Sequence, residues 1–176
     1  VNRLVKVNDY FISKSSFYLL IYDSWRPLEV QEFMFKRAFL LECEKSNIDA
    51  SFESIKSHSS ILKKIEKFWA YPYYDSCCPP PHSTGGALDV CLSDKEGNIV
   101  EMGSTVDQMD ETSNPDFYSK VKNEEAIIWN SRRNLLREIM TKFGFAQHPN
   151  EWWHFSYGDQ LWAWKNKKEN AIYGKI

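Results

Sequence analysis

The chain lacks an excess of charge of either sign. It carries 22 Lys and Arg residues against 24 Asp and Glu residues, for a formal net charge of −2 at pH 7. A protein whose main partner is a phosphate backbone usually shows a basic excess or a basic stripe. We therefore expect no nucleic-acid partner.

The chain also lacks a long apolar run. Its longest candidate, residues 17–22, has the length of a strand, whereas a membrane helix needs about 18–20 apolar residues. We therefore expect no membrane span and a cytoplasmic location. A periplasmic or secreted location stays as the alternative, because the sequence begins at Val1 rather than Met and a leader could have been removed.

Cysteines are few and are not spaced as metal ligands. The four of them, Cys43, Cys77, Cys78 and Cys91, form no C-x-x-C pair. A chain of 176 residues with four cysteines is also not a small disulfide-dense scaffold. The pattern favours reduced thiols.

The periodicity of apolar residues predicts a mixture of strands and helices in one domain that spans residues 1–176. This length suits a single core, and 43% of the residues are hydrophobic. Repeats and low-complexity segments are absent from the sequence. The predicted strands are 16–22, which is expected to be buried, 87–92, 99–102 and 152–157, and the predicted helices are 28–44, 51–69 and 124–143.

The first segment with recognisable chemistry runs from His82 to Asp89. Three prolines form a stiff, extended lead into His82, and Gly85-Gly86 permits a tight turn. In the strand that follows, alternation places Asp89 on the less apolar face, with Ala87 and Cys91. The opposite face, with its three aliphatic side chains, is predicted to enter the core, which leaves Asp89 free for a site.

The second segment is Glu151-Trp152-Trp153-His154. In a regular strand, Glu151 and His154 would point to opposite faces. Pro149 and Asn150 precede them, so we place Glu151 in the irregular entry to the strand and His154 inside it. Both side chains can then turn toward one metal ion.

Together these residues match the donor set of a catalytic zinc site. Two histidines and one carboxylate, here His82, Asp89 and His154, leave a position open for water, although the same set also suits other divalent ions. A further carboxylate such as Glu151 can act as a general base. Taken singly, each residue has an ordinary interpretation: a loop or core histidine, or a carboxylate at a strand end. The combination favours the zinc site.

On these motifs the chain resembles the zinc-dependent D-alanyl-D-alanine dipeptidases of the vancomycin-resistance type. These belong to a group of D,D-peptidases that shares its fold with the Hedgehog signalling domain. The family pattern S-x-H-x-x-G-x-A-x-D corresponds to residues 80–89, and E-W-W-H is unchanged at 151–154. The resemblance continues from about residue 19 to the C-terminus and includes residues 25–27, 102–107, 130–133 and 157–160.

The resemblance implies an α+β fold with a small, mainly antiparallel sheet that carries the metal ligands and helices packed mostly on one side. It implies Zn²⁺ on His82, Asp89 and His154, with Glu151 as general base and then general acid. It implies that Arg26 stabilises the oxyanion and that Asp107 binds the free ammonium group of a small D,D-dipeptide. The oligomeric state is left open.

The chain departs from the family pattern at three places. Pro80 replaces the serine two positions before His82, Ser24-Trp25 replaces Gly-Tyr, and Val106 replaces an aromatic residue. Two alternatives to a dipeptidase therefore stay open. One is a D,D-carboxypeptidase or endopeptidase on peptidoglycan stem peptides, and the other is a non-catalytic binding module stabilised by zinc.

Overall fold

A computed structural model of the chain describes residues 1–74 and 78–176. The helices are α1 (Asn2–Lys14), α2 (Leu28–Lys45), α3 (Ser59–Ile65), α4 (Glu124–Lys142) and α5 (Gln160–Lys165). The strands are β1 (Tyr18–Asp23), β2 (Ala87–Ser93), β3 (Ala146–Gln147) and β4 (His154–Ser156). Single 3₁₀ turns lie at Phe52–Ser57, Pro81–Thr84, Glu111–Ser113 and Phe117–Lys120.

The four strands form one sheet in the order β1-β2-β4-β3, and every neighbouring pair is antiparallel. The two central strands, β2 and β4, come from distant parts of the sequence. Their register places Asp89 directly opposite His154. The predicted α+β fold with a small antiparallel sheet is confirmed.

One face of β2 enters the main core, as its alternation predicts. Leu88, Val90 and Leu92 are buried there against Phe11 of α1 and Leu136 of α4. Each fully buried aliphatic side chain of this kind contributes about 1.5–3 kcal/mol. Asp89, on the other face, is equally buried but lines a cavity. The core therefore fixes the strand that carries this carboxylate.

A second apolar cluster joins α2 and α3. Phe35 and Phe39 of α2 pack against Ile61 and Ile65 of α3, with Ile55 from the preceding 3₁₀ turn. The predicted helix over 51–69 is wrong in its continuity, because the backbone is non-helical at His58 (φ −112°, ψ 56°). The segment consists of a 3₁₀ turn followed by α3.

Two strand predictions also need correction. Residues 99–102 do not form a strand, since their pairing with β2 is limited to an isolated bridge between Ser93 and Ile99 and a hydrogen bond from Val100 N to Leu92 O (2.9 Å). The strand predicted at 16–22 exists as β1, but it is an edge strand, not a buried one. Ile21 is 47% exposed and Tyr22 is 54% exposed.

Helix α1 was not predicted from the sequence. Its inward side chains follow helical spacing: Val7 and Phe11 are buried and Leu4 packs against the same core. That spacing is a signal of an amphipathic helix. The pattern is short, and most of the remaining residues of α1 are exposed.

The structure bears on two further predictions. Cys43 and Cys91 are buried, Cys78 is exposed, and these three form no disulfide within the described residues, whereas Cys77 lies outside them, so reduced thiols stay a prediction. Within residues 1–74 and 78–176, none of the helices has the length and apolar character needed to span a bilayer. The single-domain organisation and the absence of a nucleic-acid partner stay predictions.

Candidate metal centre

His82 lies in the 3₁₀ turn that leads into β2, and its ring is held in one orientation. Its Nδ1 donates to the carbonyl oxygen of Ser24 at 2.7 Å. Because a carbonyl can only accept, the proton of the neutral ring is on Nδ1 and Nε2 presents a lone pair. The backbone N–H of Arg26 in turn donates to His82 O (3.2 Å), so the two segments fix each other.

Two glycines allow the chain to pass from this turn into β2. Gly85 has φ +68°, in the left-handed region that glycine adopts without strain. A Cβ on Gly86 would lie 2.9 Å from Tyr157 O, and Tyr157 N donates to Gly86 O at 2.8 Å. The glycines of the H-x-x-G-G segment are therefore needed for the turn and for close strand packing.

Asp89 and His154 complete a cluster of three potential metal donors. His154 Nδ1 lies 3.1 Å from Asp89 Oδ1, and His82 Nε2 lies 3.3 Å from Asp89 Oδ2. The two ring nitrogens, His82 Nε2 and His154 Nδ1, are 3.2 Å apart. All three side chains are buried, and one donor atom from each lies within 4.8 Å of the others.

This donor set fits a tetrahedral cation. Bonds of about 2.0–2.2 Å at tetrahedral angles place neighbouring ligands about 3.3–3.6 Å apart, close to the separations found here. Asp89 Oδ1 is buried and accepts no well-formed hydrogen bond from the described residues. The lone pairs of the closely spaced nitrogen and oxygen donors in this cluster repel one another unless a cation or a proton lies between them.

The pKa shifts of His82 and Asp89 agree with a site that favours positive charge. Burial disfavours the His82 imidazolium, but attraction to Asp89 outweighs it and raises the pKa of His82. Burial likewise opposes ionisation of Asp89, yet the two histidines hold its pKa well below the usual range. The carboxylate is therefore ionised and available as a ligand.

Glu151 lies at the edge of this cluster and is 4% exposed. Its Oε2 is 3.5 Å from His154 Nδ1 and 3.5 Å from His148 Nδ1. Burial, followed by repulsion from Asp89 and Asp107, raises its pKa well above the ordinary value. A carboxyl group with a raised pKa is suited to accept and return a proton.

His148 also lines the site and was not singled out in the sequence. The backbone N–H of Asn150 donates to His148 Nδ1 at 3.3 Å. Burial, reinforced by His154, lowers the pKa of His148 to about 3, so the ring is neutral at physiological pH. Its position three residues before Glu151 was the available signal, but that spacing has no distinctive meaning by itself.

Arg26 is buried beside the metal donors and is held by two partners. Its Nη2 and Nε donate to Asp23 Oδ2 at 2.6 and 3.0 Å, and its Nη1 donates to Gln31 Oε1 at 2.7 Å. Its Nη2 also lies 3.7 Å from Asp89 Oδ2, and its guanidinium carbon lies 5.4 Å from the Trp69 ring centroid. The sequence predicted Arg26 but not Asp23, Gln31 or Trp69.

Asp107 approaches from a separate loop. Its backbone has φ +66°, which is uncommon for a residue other than glycine. Burial, with repulsion from Asp89, raises the pKa of its carboxyl group to about 6. A positive φ at such a residue persists only where surrounding contacts hold the backbone in place, and hydrogen bonds within this loop do so.

All six site residues predicted from the sequence line a single small cavity of about 60 Å³. A buried water needs about 10–15 Å³ on the same scale, so the cavity holds a few waters. Its wall includes Arg26, His82, Asp89, Asp107, Glu151 and His154, together with Gln31, Trp69 and His148. The structure thus brings together residues that are scattered over most of the sequence.

The fold and the site define an α+β protein with a buried metal-binding centre and a neighbouring carboxyl group. The three candidate protein ligands leave a coordination position open. Comparison of the sequence with protein families gives a more specific assignment. The family model described as D-ala-D-ala dipeptidase matches residues 4–172, and the chain belongs to this family.

Individual relatives agree with this assignment. The chain is 36% identical over 167 residues to the D-alanyl-D-alanine dipeptidase of Synechocystis sp., which covers 92% of this chain and 68% of that protein. A shorter match to the D-alanyl-D-alanine dipeptidase of Escherichia coli is 40% identical over 74 residues and spans 42% of this chain and 36% of that protein.

A solved structure has the same fold. The vancomycin resistance D,D-pentapeptidase VanY, in complex with Zn(II), matches with a TM-score of 0.54 and 15% identity. The match covers 97% of this chain and 78% of VanY.

Proposed function

We propose that this protein hydrolyses D-alanyl-D-alanine, or a closely similar D,D-dipeptide, in a zinc-dependent reaction. The single observation that carries the proposal is the convergence of His82, Asp89 and His154 beside the buried Glu151 in one small cavity. Membership of the D-ala-D-ala dipeptidase family supports the choice of substrate.

Zinc is the cofactor that we assign to His82, Asp89 and His154. When bound, zinc acts as a Lewis acid toward the peptide carbonyl and makes a water molecule more acidic. The three protein ligands leave coordination open, as in catalytic zinc sites. The hydrogen bond from His82 Nδ1 to Ser24 O keeps this ligand in the required tautomer.

Glu151 is assigned as general base and then general acid. Its carboxylate removes a proton from water as the oxygen attacks the peptide carbonyl carbon. The same carboxyl group then donates that proton to the nitrogen of the leaving D-alanine. A raised pKa makes the carboxylate a stronger base in the first transfer, and the second transfer goes to an amine nitrogen, which is a stronger base than a carboxylate.

Arg26 is assigned to stabilise the negative charge that develops on the carbonyl oxygen. Its hydrogen bonds to Asp23 and Gln31 hold the guanidinium in place before the reaction. Charge stabilisation by a fixed group requires little reorganisation during the reaction. The stacking of Trp69 near the guanidinium further limits its motion.

Asp107 is assigned to bind the free ammonium group of the dipeptide. Its carboxyl group lines the same cavity as the metal donors. An ammonium ion beside it would favour the ionised form, against the burial that raises its pKa. Because this carboxyl group lies in the wall that also holds the metal donors, it favours a substrate whose ammonium group is close to the scissile bond, as in a dipeptide, over a stem peptide.

A purely structural zinc site is less compatible with these observations. Structural sites have a closed set of four protein ligands and no requirement for a base. The site here has three candidate ligands, together with Glu151 and Arg26. These features favour an enzyme over a binding module.

The decisive experiment compares substrates with the purified, zinc-loaded protein. D,D-, L,D- and L,L-dipeptides and a peptidoglycan stem pentapeptide are incubated with and without a chelator, and free amino acid is measured. We expect cleavage of D-alanyl-D-alanine that stops with the chelator and returns with added zinc. Cleavage of the pentapeptide in preference to the dipeptide would establish the carboxypeptidase alternative, and no cleavage at all would overturn the enzymatic proposal.

A further inference from the structure

Arg133 on α4 is a buried cation whose hydrogen bonds all go to one loop. It is 1% exposed. It donates to Met102 O (2.7 Å), Thr112 O (2.8 Å), Asn114 O (3.0 Å) and Ser104 Oγ (3.1 Å). These four acceptors are neutral and lie near the two ends of residues 102–114. The guanidinium therefore joins the beginning of the loop to its end.

The charge on Arg133 is retained in this environment. Burial lowers its pKa to about 10, so the group is still protonated at neutral pH. It is further surrounded by aromatic faces, 4.7 Å from the Tyr118 ring centroid and 5.3 Å from the Trp152 ring centroid. Hydrogen bonds from a charged donor are stronger than those between neutral groups.

Asp107 lies in the middle of the loop that Arg133 closes. Side chains within the loop add further bonds: Gln108 Nε2 donates to Asp110 Oδ2 at 2.6 Å, and Ser113 Oγ donates to Gln108 O. The positive φ of Asp107 is thus imposed by a loop whose ends are both fixed.

The same loop is attached to the Glu151-Trp152-Trp153-His154 segment. Trp152 N donates to Ser113 O at 3.0 Å, and Trp152 Nε1 donates to Ser104 Oγ at 2.9 Å. Ser104 Oγ therefore accepts from both Arg133 and Trp152. Through these contacts the position of Asp107 is set relative to Glu151.

We infer that Arg133 is a positioning residue for substrate selection: by closing the 102–114 loop it sets the Asp107 carboxylate at the distance from the metal centre that a dipeptide with a free ammonium group requires. The inference rests on the proposed function. Arg133 itself does not line the cavity. Its effect is exerted through Asp107, and it concerns the choice of substrate more than the chemical step.

The test compares D-alanyl-D-alanine with its N-acetylated form, which lacks the ammonium group. The variants are Arg133→Lys, which cannot make the same set of hydrogen bonds, and Ser104→Ala, which weakens the loop without altering a buried charge. Arg132→Lys is the matched control, because Arg132 is the neighbouring arginine and donates to Glu101 O, outside the loop. Zinc content is measured for every protein.

We expect Arg133→Lys to lower the kcat/KM ratio of free to acetylated dipeptide by about tenfold or more, mainly through the KM of the free dipeptide. A misplacement of about 1 Å in an active site can cost about 100-fold, so we expect about tenfold or more for a partial displacement of Asp107. Ser104→Ala should change the ratio in the same direction by a smaller factor. Arg132→Lys should leave the ratio unchanged, and zinc content should be equal in all four proteins.

If the kcat/KM ratio of free to acetylated dipeptide is unchanged in Arg133→Lys, even where kcat/KM falls with both peptides, Arg133 serves only the fold. If Arg133→Lys does not fold, the ratio measured for Ser104→Ala decides. If the unaltered protein cleaves both peptides equally well, the inference is overturned but the dipeptidase function stands. If it cleaves neither peptide, the proposed function fails, and the inference with it.

Discussion

Asp89 and His154 face each other across the two central strands, with Asp89 Oδ1 3.1 Å from His154 Nδ1. The backbone register of β2 and β4 sets this pairing, so a main-chain ladder holds two of the three candidate ligands. The third, His82, is bound to the carbonyl of Ser24. A site with ligands fixed in this way is organised before the metal arrives.

Replacement of Glu151 by glutamine should separate catalysis from metal binding. Glu151→Gln keeps the shape of the side chain but cannot accept the proton, so kcat should fall by about 10²–10⁴-fold. Zinc content should be unchanged, as measured by metal analysis of the purified variant. Glu138→Gln, on the exposed face of α4, is the control. Normal turnover by Glu151→Gln would remove this residue from the mechanism.

Removal of a candidate ligand should act on the metal first. His154→Ala deletes one of the three donors, and we expect zinc affinity to fall by more than the roughly 10–100-fold typical of outer contacts. Zinc should raise the unfolding temperature of the unaltered protein but not that of the variant. His58→Ala provides a histidine control outside the site, since the His58 ring lies beside that of Phe39. Retention of tight zinc binding by His154→Ala would contradict the assigned ligand set.

The guanidinium of Arg26 should matter for the rate more than for binding. Arg26→Lys retains a positive charge but loses the planar set of bonds to Asp23 and Gln31. We expect kcat to fall by about 10²–10³-fold, the range for loss of a group that stabilises an oxyanion. Steady-state kinetics with D-alanyl-D-alanine measure the effect. A change confined to KM would instead indicate a role in substrate binding.

The carboxyl group of Asp107 should make the metal-free protein sensitive to pH. Its pKa of about 6 in the folded protein lies above the ordinary value near 4, so folding favours the neutral form. Its contribution to stability is fully present below about pH 4 and is lost as the pH rises through about 6. At neutral pH the ionised group should therefore destabilise the fold by about 1–3 kcal/mol.

Asp107→Asn tests this linkage, since asparagine tolerates a positive φ and carries no charge. Unfolding by denaturant is measured for the chelated protein and the variant at pH 4 and pH 7. The variant should gain stability relative to the unaltered protein at pH 7, with little difference at pH 4. An equal difference at both pH values would show that ionisation of Asp107 is not its cause.

Much of the site could be predicted from the sequence because its motifs are local. His82 and Asp89 are separated by one turn and the start of one strand, and glycine chemistry together with alternation places them. Glu151 and His154 are likewise three residues apart at a strand entry. The residues that hold Arg26 were not predictable in this way, since Gln31 lies one turn into the next helix and Trp69 is far along the chain.

The failures in the fold have similar causes. The sequence pattern predicts one helix over 51–69, but the packing of α3 on α2 tolerates a break at His58. Residues 99–102 are as apolar as a strand, yet only one bridge forms, because the chain beyond Val100 turns into the loop that Arg133 fixes. Local propensity is a weak guide where tertiary contacts decide the backbone.

The sequence by itself determined the donor chemistry, the α+β class and the family, because residue identity and short-range spacing decide which atoms can bind a metal. Only the tertiary structure decided that the loop bearing Asp107 and the strand bearing His154 meet around one cavity of about 60 Å³, and that Arg133 of α4 joins the two ends of that loop. Those relationships depend on strand register and on hydrogen bonds between distant segments. They arise from the packing of the whole chain, so no periodic pattern in the sequence predicts them.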